Sequence, residues 1–207
     1  MTWLSRALFA LALASCVVTP AFAGPIELSP MIGYRFGGSV TDFTTGIEFD
    51  IKDNWSYGGT LDFNMPGGRF VEFLYSHQPT ELKARSAYSG VFESADITVD
   101  YWQLGVGQSS HANEKVAAYG IGTAGLTHFS AFDDGADKFS FGFGGGAKFL
   151  PQKRVGLRLD ARGYLTFVGE STAFVGVGPG GGTVTFSSNT LFQADLTAAI
   201  TFRFGQE

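Results

Sequence analysis

The segment LFQADLTAAITFRF, 191–204, sets the terms on which this chain can fold. Phe192, Ala194, Leu196, Ala198, Ile200, Phe202 and Phe204 are apolar, and five of the six residues between them, Gln193, Asp195, Thr197, Thr201 and Arg203, are polar, Ala199 being the sixth. Successive side chains on a strand point to opposite faces, so this stretch has one greasy face and one polar face. Seven earlier segments, at 26–37, 56–65, 70–78, 97–108, 117–129, 139–149 and 155–167, carry similar alternation. A chain built almost wholly of two-faced strands must find something apolar to cover one face of each.

The N-terminus narrows what that something is. Arg6 precedes an apolar run from 7 to 18, and Ala21-Phe-Ala23 follows Pro20, which is the order of a secretory signal peptide cleaved before Gly24. Residues 1–23 are therefore expected to be leader and 24–207 one domain. Leu13-Ala-Ser-Cys16 also fits the pattern preceding a lipid-modified cysteine, an alternative in which the mature chain starts at Cys16. With the ordinary cut the domain has no cysteine, hence no disulfide and no thiolate chemistry. After the first two dozen residues no apolar run is long enough for a membrane helix. A net charge of −5 without a basic cluster argues against nucleic acid as a partner.

Face by face, the first segment sets Ile26, Leu28, Pro30, Ile32, Tyr34 and Phe36 against Glu27, Ser29, Met31, Gly33 and Arg35. Tyr57, Leu61, Phe63 and Met65 then oppose Thr60, Asp62 and Asn64, and Val71, Phe73 and Tyr75 oppose Glu72, Ser76 and Gln78. In 97–108 Val99 and Tyr101 follow one phase and Trp102, Leu104 and Val106 the other, which a bulge near Tyr101 would reconcile. Tyr119, Ile121 and Phe129 share a phase. Phe139, Phe141, Phe143, Ala147 and Phe149 oppose Ser140, Gly142, Gly144, Gly146 and Lys148, and Val155, Leu157, Leu159, Ala161, Leu165 and Phe167 oppose Arg158, Asp160, Arg162, Tyr164 and Thr166.

The connections sort by length. The second, fourth and sixth are tight (Pro66-Gly-Gly68, His111-Ala-Asn-Glu114, Pro151-Gln-Lys-Arg154), whereas the others are long or acidic, including Asp133-Asp-Gly-Ala-Asp137 and a stretch containing Gly180-Gly-Gly182. Strands of roughly 10 residues, joined by short turns on one side and long loops on the other, describe an all-β, eight-stranded antiparallel up-and-down barrel crossing the outer membrane, both termini in the periplasm. Grease faces lipid, with Tyr34, Phe36, Tyr75, Phe167 and Phe202 as interfacial aromatics. Inside stand Glu27, Asp62, Glu72, Asp160 and Asp195 against Arg35, Lys148, Arg158, Arg162 and Arg203. An eight-stranded barrel is just wide enough for side chains to fill it, so a balanced set is expected to pair and plug the lumen, with inward Gly33, Gly58, Gly142, Gly144, Gly146 and Gly156 leaving room for the long arms. A narrow channel, or a conduit for small or hydrophobic compounds, is the alternative, and a lipid-acting enzyme a third reading.

Other chemistry is weakly signalled. Gly120-Ile-Gly-Thr-Ala-Gly125 has the form of a dinucleotide fingerprint but opens no helix. Asn54-Trp-Ser56 is a glycosylation sequon in form only. His77, His111 and His128 read as scattered surface residues, and Asp133, Asp134 and Asp137 lack the glycine and glutamate of a calcium loop. No cofactor, metal or catalytic residue is expected.

Pro30-Met-Ile-Gly-Tyr-Arg-Phe-Gly37, Val71-Glu-Phe-Leu-Tyr-Ser-His-Gln78 with Thr80-Glu-Leu82, and Thr201-Phe-Arg-Phe204 resemble the small eight-stranded outer-membrane barrels similar to the OmpA transmembrane domain, OmpX and the opacity-type proteins. The resemblance implies outer-membrane lipid and lipopolysaccharide as surroundings. It also implies folding by the barrel-assembly machinery, which reads the last strand and its closing aromatics, here Phe202 and Phe204 ahead of Gly205-Gln-Glu207. No cell-wall tether is expected.

Overall fold

The computed structural model describes residues 24–42, 47–86, 92–113, 115–131, 134–149, 153–168, 173–175, 183–185 and 190–205. The expected leader at 1–23 with Cys16, and Glu114, Asp133 and Gly180-Gly-Gly182, lie outside them. In chain order the strands are β1 (Ile26–Phe36), β2 (Ser39–Asp42), β3 (Ile47–Ile51), β4 (Asn54–Asn64), β5 (Arg69–Ser86), β6 (Phe92–Asn113), β7 (Val116–Ala131), β8 (Asp134–Phe149), β9 (Val155–Thr166), β10 (Ala173–Val175), β11 (Thr183–Thr185) and β12 (Leu191–Phe204).

Eight of them, β1, β4, β5, β6, β7, β8, β9 and β12, form a closed antiparallel ring, each pairing with the next and β12 returning to β1. Closure matters because hydrocarbon offers no hydrogen-bond partner to an open edge. The β2–β3 hairpin grafts onto the far end of β5, where β3 takes over from β4 as its neighbour. At the end holding the termini, β4 turns into β5 through a 3-10 turn at Pro66–Gly68. Gly67 and Gly68 adopt φ of 78° and 77°, the left-handed region that glycine enters without strain. The turn is tied down by the Gln108 amide, which donates to the Gly67 carbonyl at 2.8 Å, and by Ser109 Oγ, which donates to that of Gly68 at 3.0 Å.

The faces of β1, β4, β8, β9 and β12 follow the expected alternation. Four expectations are corrected. The strands are not all near ten residues: β5 and β6 have 18 and 22, β7 and β8 have 16 each. What reads as long third and fifth connections is therefore mostly strand, and Asp137 sits in β8. The fourth turn is shorter than 111–114, because β6 runs through Asn113. No bulge lies near Tyr101: β6 keeps unbroken register with β5 from Phe92 to Gln108 and with β7 from Ile97 to His111, and its register shift lies between His111 and Asn113. Val99 and Tyr101 are simply inside, as are Phe70, Leu74, Tyr119, Ile121 and Phe129.

That placement exposes a reversal of polarity along the barrel. Towards the termini, apolar side chains such as Leu28, Ile32, Leu104, Val106, Phe143 and Leu157 point outward and charges point inward. Towards the opposite end, Phe49, Ile51, Leu82, Ile97, Phe129 and Ala131 point inward and pack into one apolar cluster and Ala95 is buried beside the same strands, while Pro79, Glu81, Asp96, Thr98 and Ser130 face out. The change of sense falls at an aromatic ring of contacts. Tyr34 meets Phe36 and Trp55 (centroids 5.4 and 5.7 Å apart), Tyr75 meets Trp102 (4.3 Å), and Phe141 meets Phe139 and Phe167 (4.8 and 5.9 Å). Phe202, expected as a girdle residue, belongs to the other end, opposite Leu28. Such aromatics mark where hydrocarbon meets headgroups.

Two substitutions on β6 test the boundary. Leu104→Arg, in the apolar belt, is expected to destabilise the protein by about 2–4 kcal/mol. Thr98→Arg, also outward but beyond the aromatics, should change stability by less than about 0.5 kcal/mol. Urea titration of folding into lipid vesicles measures both, and equal losses would contradict the boundary.

Candidate functional site

The lumen collects the charged side chains because every other strand residue faces it and no water-free position outside would hold them. All ten expected interior residues are paired there. From the end holding the termini, Arg203 reaches Glu27 (Nε–Oε1 3.3 Å), and Lys148 donates to Glu27 at 2.5 Å and Asp62 at 2.8 Å. Arg158 donates to the same Asp62 oxygen at 2.8 Å and to Glu72 at 2.5 Å, and Arg162 grips both Glu72 oxygens at 2.6 and 2.9 Å. Asp160 closes the group, 3.0 Å from Arg158 and 3.3 Å from Arg162. Apart from Arg203 these groups are nearly or wholly buried. Glu72 is the centre of the arrangement, since two guanidiniums from β9 converge on one carboxylate from β5.

Further along the axis Arg35 and Asp195 form a separate pair, with Nε and Nη2 donating to Oδ2 at 3.1 and 2.9 Å. Ser56 donates to Asp195 at 3.0 Å, and Ser76 accepts from Arg35. Above this pair Tyr101 and Tyr164 stack at 4.2 Å with the Arg35 guanidinium 4.6 and 5.6 Å from their centroids. The Tyr101 hydroxyl donates to Gln193, and Gln103 bridges Ser140 and Thr123. Aromatic faces also line the lower group: Lys148 lies 4.8 Å from the Phe70 ring and Arg158 4.7 Å from that of Tyr119. Alternation places Tyr164 inward, as observed, but the inward Phe70, Tyr101 and Tyr119 were not legible from it, because the apolar phase is assigned to the lipid side. Expected inward glycines make the packing possible: a Cβ on Gly146 would meet the Tyr119 hydroxyl at 3.0 Å and one on Gly144 would meet Arg162 Cγ at 3.0 Å.

The histidines are a second place where the sequence reading is corrected. His77 and His128 lie within β5 and β7 and are not scattered. Register sets His77 opposite Asp100, Asp100 opposite His128 and His128 opposite Asp137, on four adjacent strands and on the outer face. His77 Nδ1 and His128 Nδ1 each lie 2.6 Å from the Oδ1 of Asp100 and Asp137, and the Tyr75 hydroxyl donates to Asp100 at 3.1 Å. Among the described residues no group of three or more His, Cys, Asp or Glu is arranged to hold a metal.

Removing one partner of a buried ion pair leaves the other charge stranded and typically destabilises by about 3–5 kcal/mol. Glu72→Gln should fall in that range, because Arg158 and Arg162 both lose their strongest acceptor. Glu81→Gln, whose exposed partner Lys52 lies 3.2 Å away, should lose less than about 1 kcal/mol. The urea midpoint in lipid vesicles separates the two.

A family profile described as the outer membrane protein beta-barrel domain matches residues 9–204. Among known proteins, the attachment invasion locus protein of Yersinia enterocolitica is 28% identical over 123 residues, covering 58% of this chain and 60% of that relative. Among solved structures, Neisserial surface protein A aligns with a TM-score of 0.54 at 12% identity, covering 87% of this chain and 99% of its own. The outer membrane protein OprG of Pseudomonas aeruginosa aligns with a TM-score of 0.54 at 13% identity, covering 89% and 97%. The two structures share the fold. A closed eight-stranded ring with lipid-suited flanks and a profile match over nearly its whole length place this chain in the outer membrane, as a member of the outer membrane protein beta-barrel domain family.

Proposed function

We propose that the protein is a non-enzymatic barrel with a structural or surface-interaction role, its lumen plugged by its own side chains. The observation that carries this reading is the unbroken chain of ion pairs, buried but for Arg203, from Arg203 through Glu27, Lys148, Asp62, Arg158, Glu72 and Arg162 to Asp160. Each group is held by an opposite charge on another strand or a near neighbour, so none is poised to bind a passing ion or substrate. Above it the stacked Tyr101 and Tyr164 and the apolar cluster occupy the remaining section. What projects beyond the aromatic ring is a set of long strands with polar outer faces, a surface suited to contact with lipopolysaccharide or a partner. Planar-bilayer recording tests the plug. The purified protein is expected to give no step-like conductance, and regular steps would favour the narrow-channel reading instead.

The proposal includes a signal peptide at 1–23 cleaved on export, a domain at 24–207, periplasmic termini and recognition of the last strand by the assembly machinery. The short turns share the end at which β1 begins and β12 stops, which supports the orientation. Phe202 and Phe204 lie outward at the seam where β12 meets Leu28 and Ile26 of β1, a position from which an assembly factor can read them before closure. In whole cells the pair Phe202→Ala and Phe204→Ala should lower the heat-modifiable, folded fraction several-fold, while Gly205→Cys should stay unlabelled by an impermeant thiol reagent. Unchanged assembly would remove the signal role, and labelling would reverse the orientation.

A further inference from the structure

With the usual strand tilt, β1 at 11 residues rises about 25 Å along the barrel axis, the height of the apolar band. Its top, Phe36, stands in the aromatic ring, so its foot, Ile26, marks the other boundary of the hydrocarbon. Register leads from Ile26 through Phe63 to Val71, a row that climbs with the tilt. Arg69, back toward the turn on the same outward phase, returns to the boundary. Its side chain is exposed and pairs with no carboxylate among the described residues. From Arg69 an open recess of about 400 Å³ extends over the outer wall, lined by Met65, Val106, Gln108, Gly120 and Gly122 among others.

The floor of the recess is Gly120 and Gly122, which open the glycine run that forms no nucleotide site. A Cβ on Gly122 would meet no described atom within 4 Å, and one on Gly120 only the Gly144 carbonyl oxygen at 4.0 Å. Packing within the chain therefore does not require glycine there, as it does at Gly144 and Gly146, and a glycine inside a strand often marks the close approach of another molecule. Register sets Gly122 between Val106 of β6 and Phe143 of β8, whose exposed side chains wall the floor. Gln108, which separates Arg69 from Gly120, has its amide tied back to the Gly67 and Ser109 carbonyls at 2.8 and 3.1 Å. Among the described residues the exposed charges at this end are Arg69, Lys115, Lys153 and Arg154, all basic.

We propose that the recess holds an acyl chain of one anionic phospholipid, drawn from the leaflet at the end with the termini, its phosphate paired with Arg69. A guanidinium matches two phosphate oxygens at once. The chain then runs past Gln108 onto the glycine floor beside Val106, within the hydrocarbon. The basic turns around the mouth favour a headgroup of net negative charge over a zwitterionic one. The proposal rests on the membrane placement given by the fold and the family, and it takes the periplasmic leaflet from the orientation proposed above.

The test is native mass spectrometry of the full mature chain, folded in detergent micelles and titrated with dioleoyl phosphatidylglycerol or dioleoyl phosphatidylcholine. One phosphatidylglycerol is expected to stay on each barrel. One basic charge near an anionic group is worth about fivefold in association, so its apparent affinity should exceed that of phosphatidylcholine by about fivefold or more. Arg69→Gln should weaken phosphatidylglycerol about fivefold, and Arg69→Lys, which keeps the charge, should weaken it less. Gly122→Leu, whose side chain has open space to enter, fills the recess and should weaken both lipids several-fold. Lys83→Gln, exposed on β5 beyond the aromatic ring, should change neither. Heat-modifiable migration checks in each sample that the barrel is folded, so loss of lipid from a folded variant is distinguishable from loss of the membrane barrel. Equal retention of the two lipids overturns the proposal, as does retention unchanged by Arg69→Gln or by Gly122→Leu. So does a second copy of the chain held in place of lipid. The lipid count does not depend on which leaflet faces this end, so it and the Gly205→Cys orientation test fail separately.

Discussion

In hydrocarbon an unpaired backbone amide is destabilising by several kcal/mol, and no water is at hand to relieve it. Everything else in this barrel follows from that constraint. Eight strands can satisfy all their ladder groups only by closing, and closure at eight leaves a lumen with room for side chains and little more. The inward residues must therefore solve a packing problem among themselves. Long arginine and lysine arms fit because β8 faces them with Gly142, Gly144 and Gly146. Their charges are tolerable because each carboxylate of the lower group lies within 3.3 Å of a basic side chain.

The same strands obey the opposite rule a few residues further on. Period-two alternation continues through β5, β6 and β7, yet beyond Tyr75 and Trp102 the apolar set turns inward and the polar set outward. Alternation by itself says that a strand has two faces, and only the medium decides which face is hidden. Against lipid the apolar face is the exterior one. Against water it becomes the core, as in a soluble β-protein. One sheet thus carries two kinds of interior end to end, ions below and hydrocarbon above, and the Tyr101–Tyr164 stack beside Arg35 joins them.

This reversal also explains how far the sequence could be read. The ten interior charges were legible because a charge on a strand with a greasy opposite face has one place to go. Strand count and closure followed from the same pattern. Val99 and Tyr101 defied it: they are apolar residues on the inward phase, and a reading that sends apolar side chains to lipid has to invent a bulge. Gln103, in phase with them, carried the correct answer, since a buried glutamine hydrogen-bonded to Ser140 and Thr123 belongs to the lumen. The lengths of β5 to β8 were hidden for the same reason, their outer halves looking like polar loops. The histidine row was beyond reach altogether, because His77, Asp100, His128 and Asp137 become neighbours only through three independent strand registers.

Register is where the ion network has an effect that an apolar filling would lack. A polar interior is not a strong source of stability, since well-packed apolar groups of similar volume often do as well. It is a strong source of discrimination. Sliding a strand by one residue turns every side chain to the other face. For β9 that slip would carry Arg158, Asp160 and Arg162 into the apolar belt, at roughly 2–4 kcal/mol for each arginine near the bilayer centre. It would also bring Leu157, Leu159 and Ala161 in against Glu72 and Asp62, stranding both carboxylates. For β12 the same slip would expel Asp195 and strand Arg35. An apolar lumen would make such shifts nearly silent. The buried charges therefore act chiefly on specificity, holding eight similar strands to one alignment against the many that their shared pattern would otherwise permit.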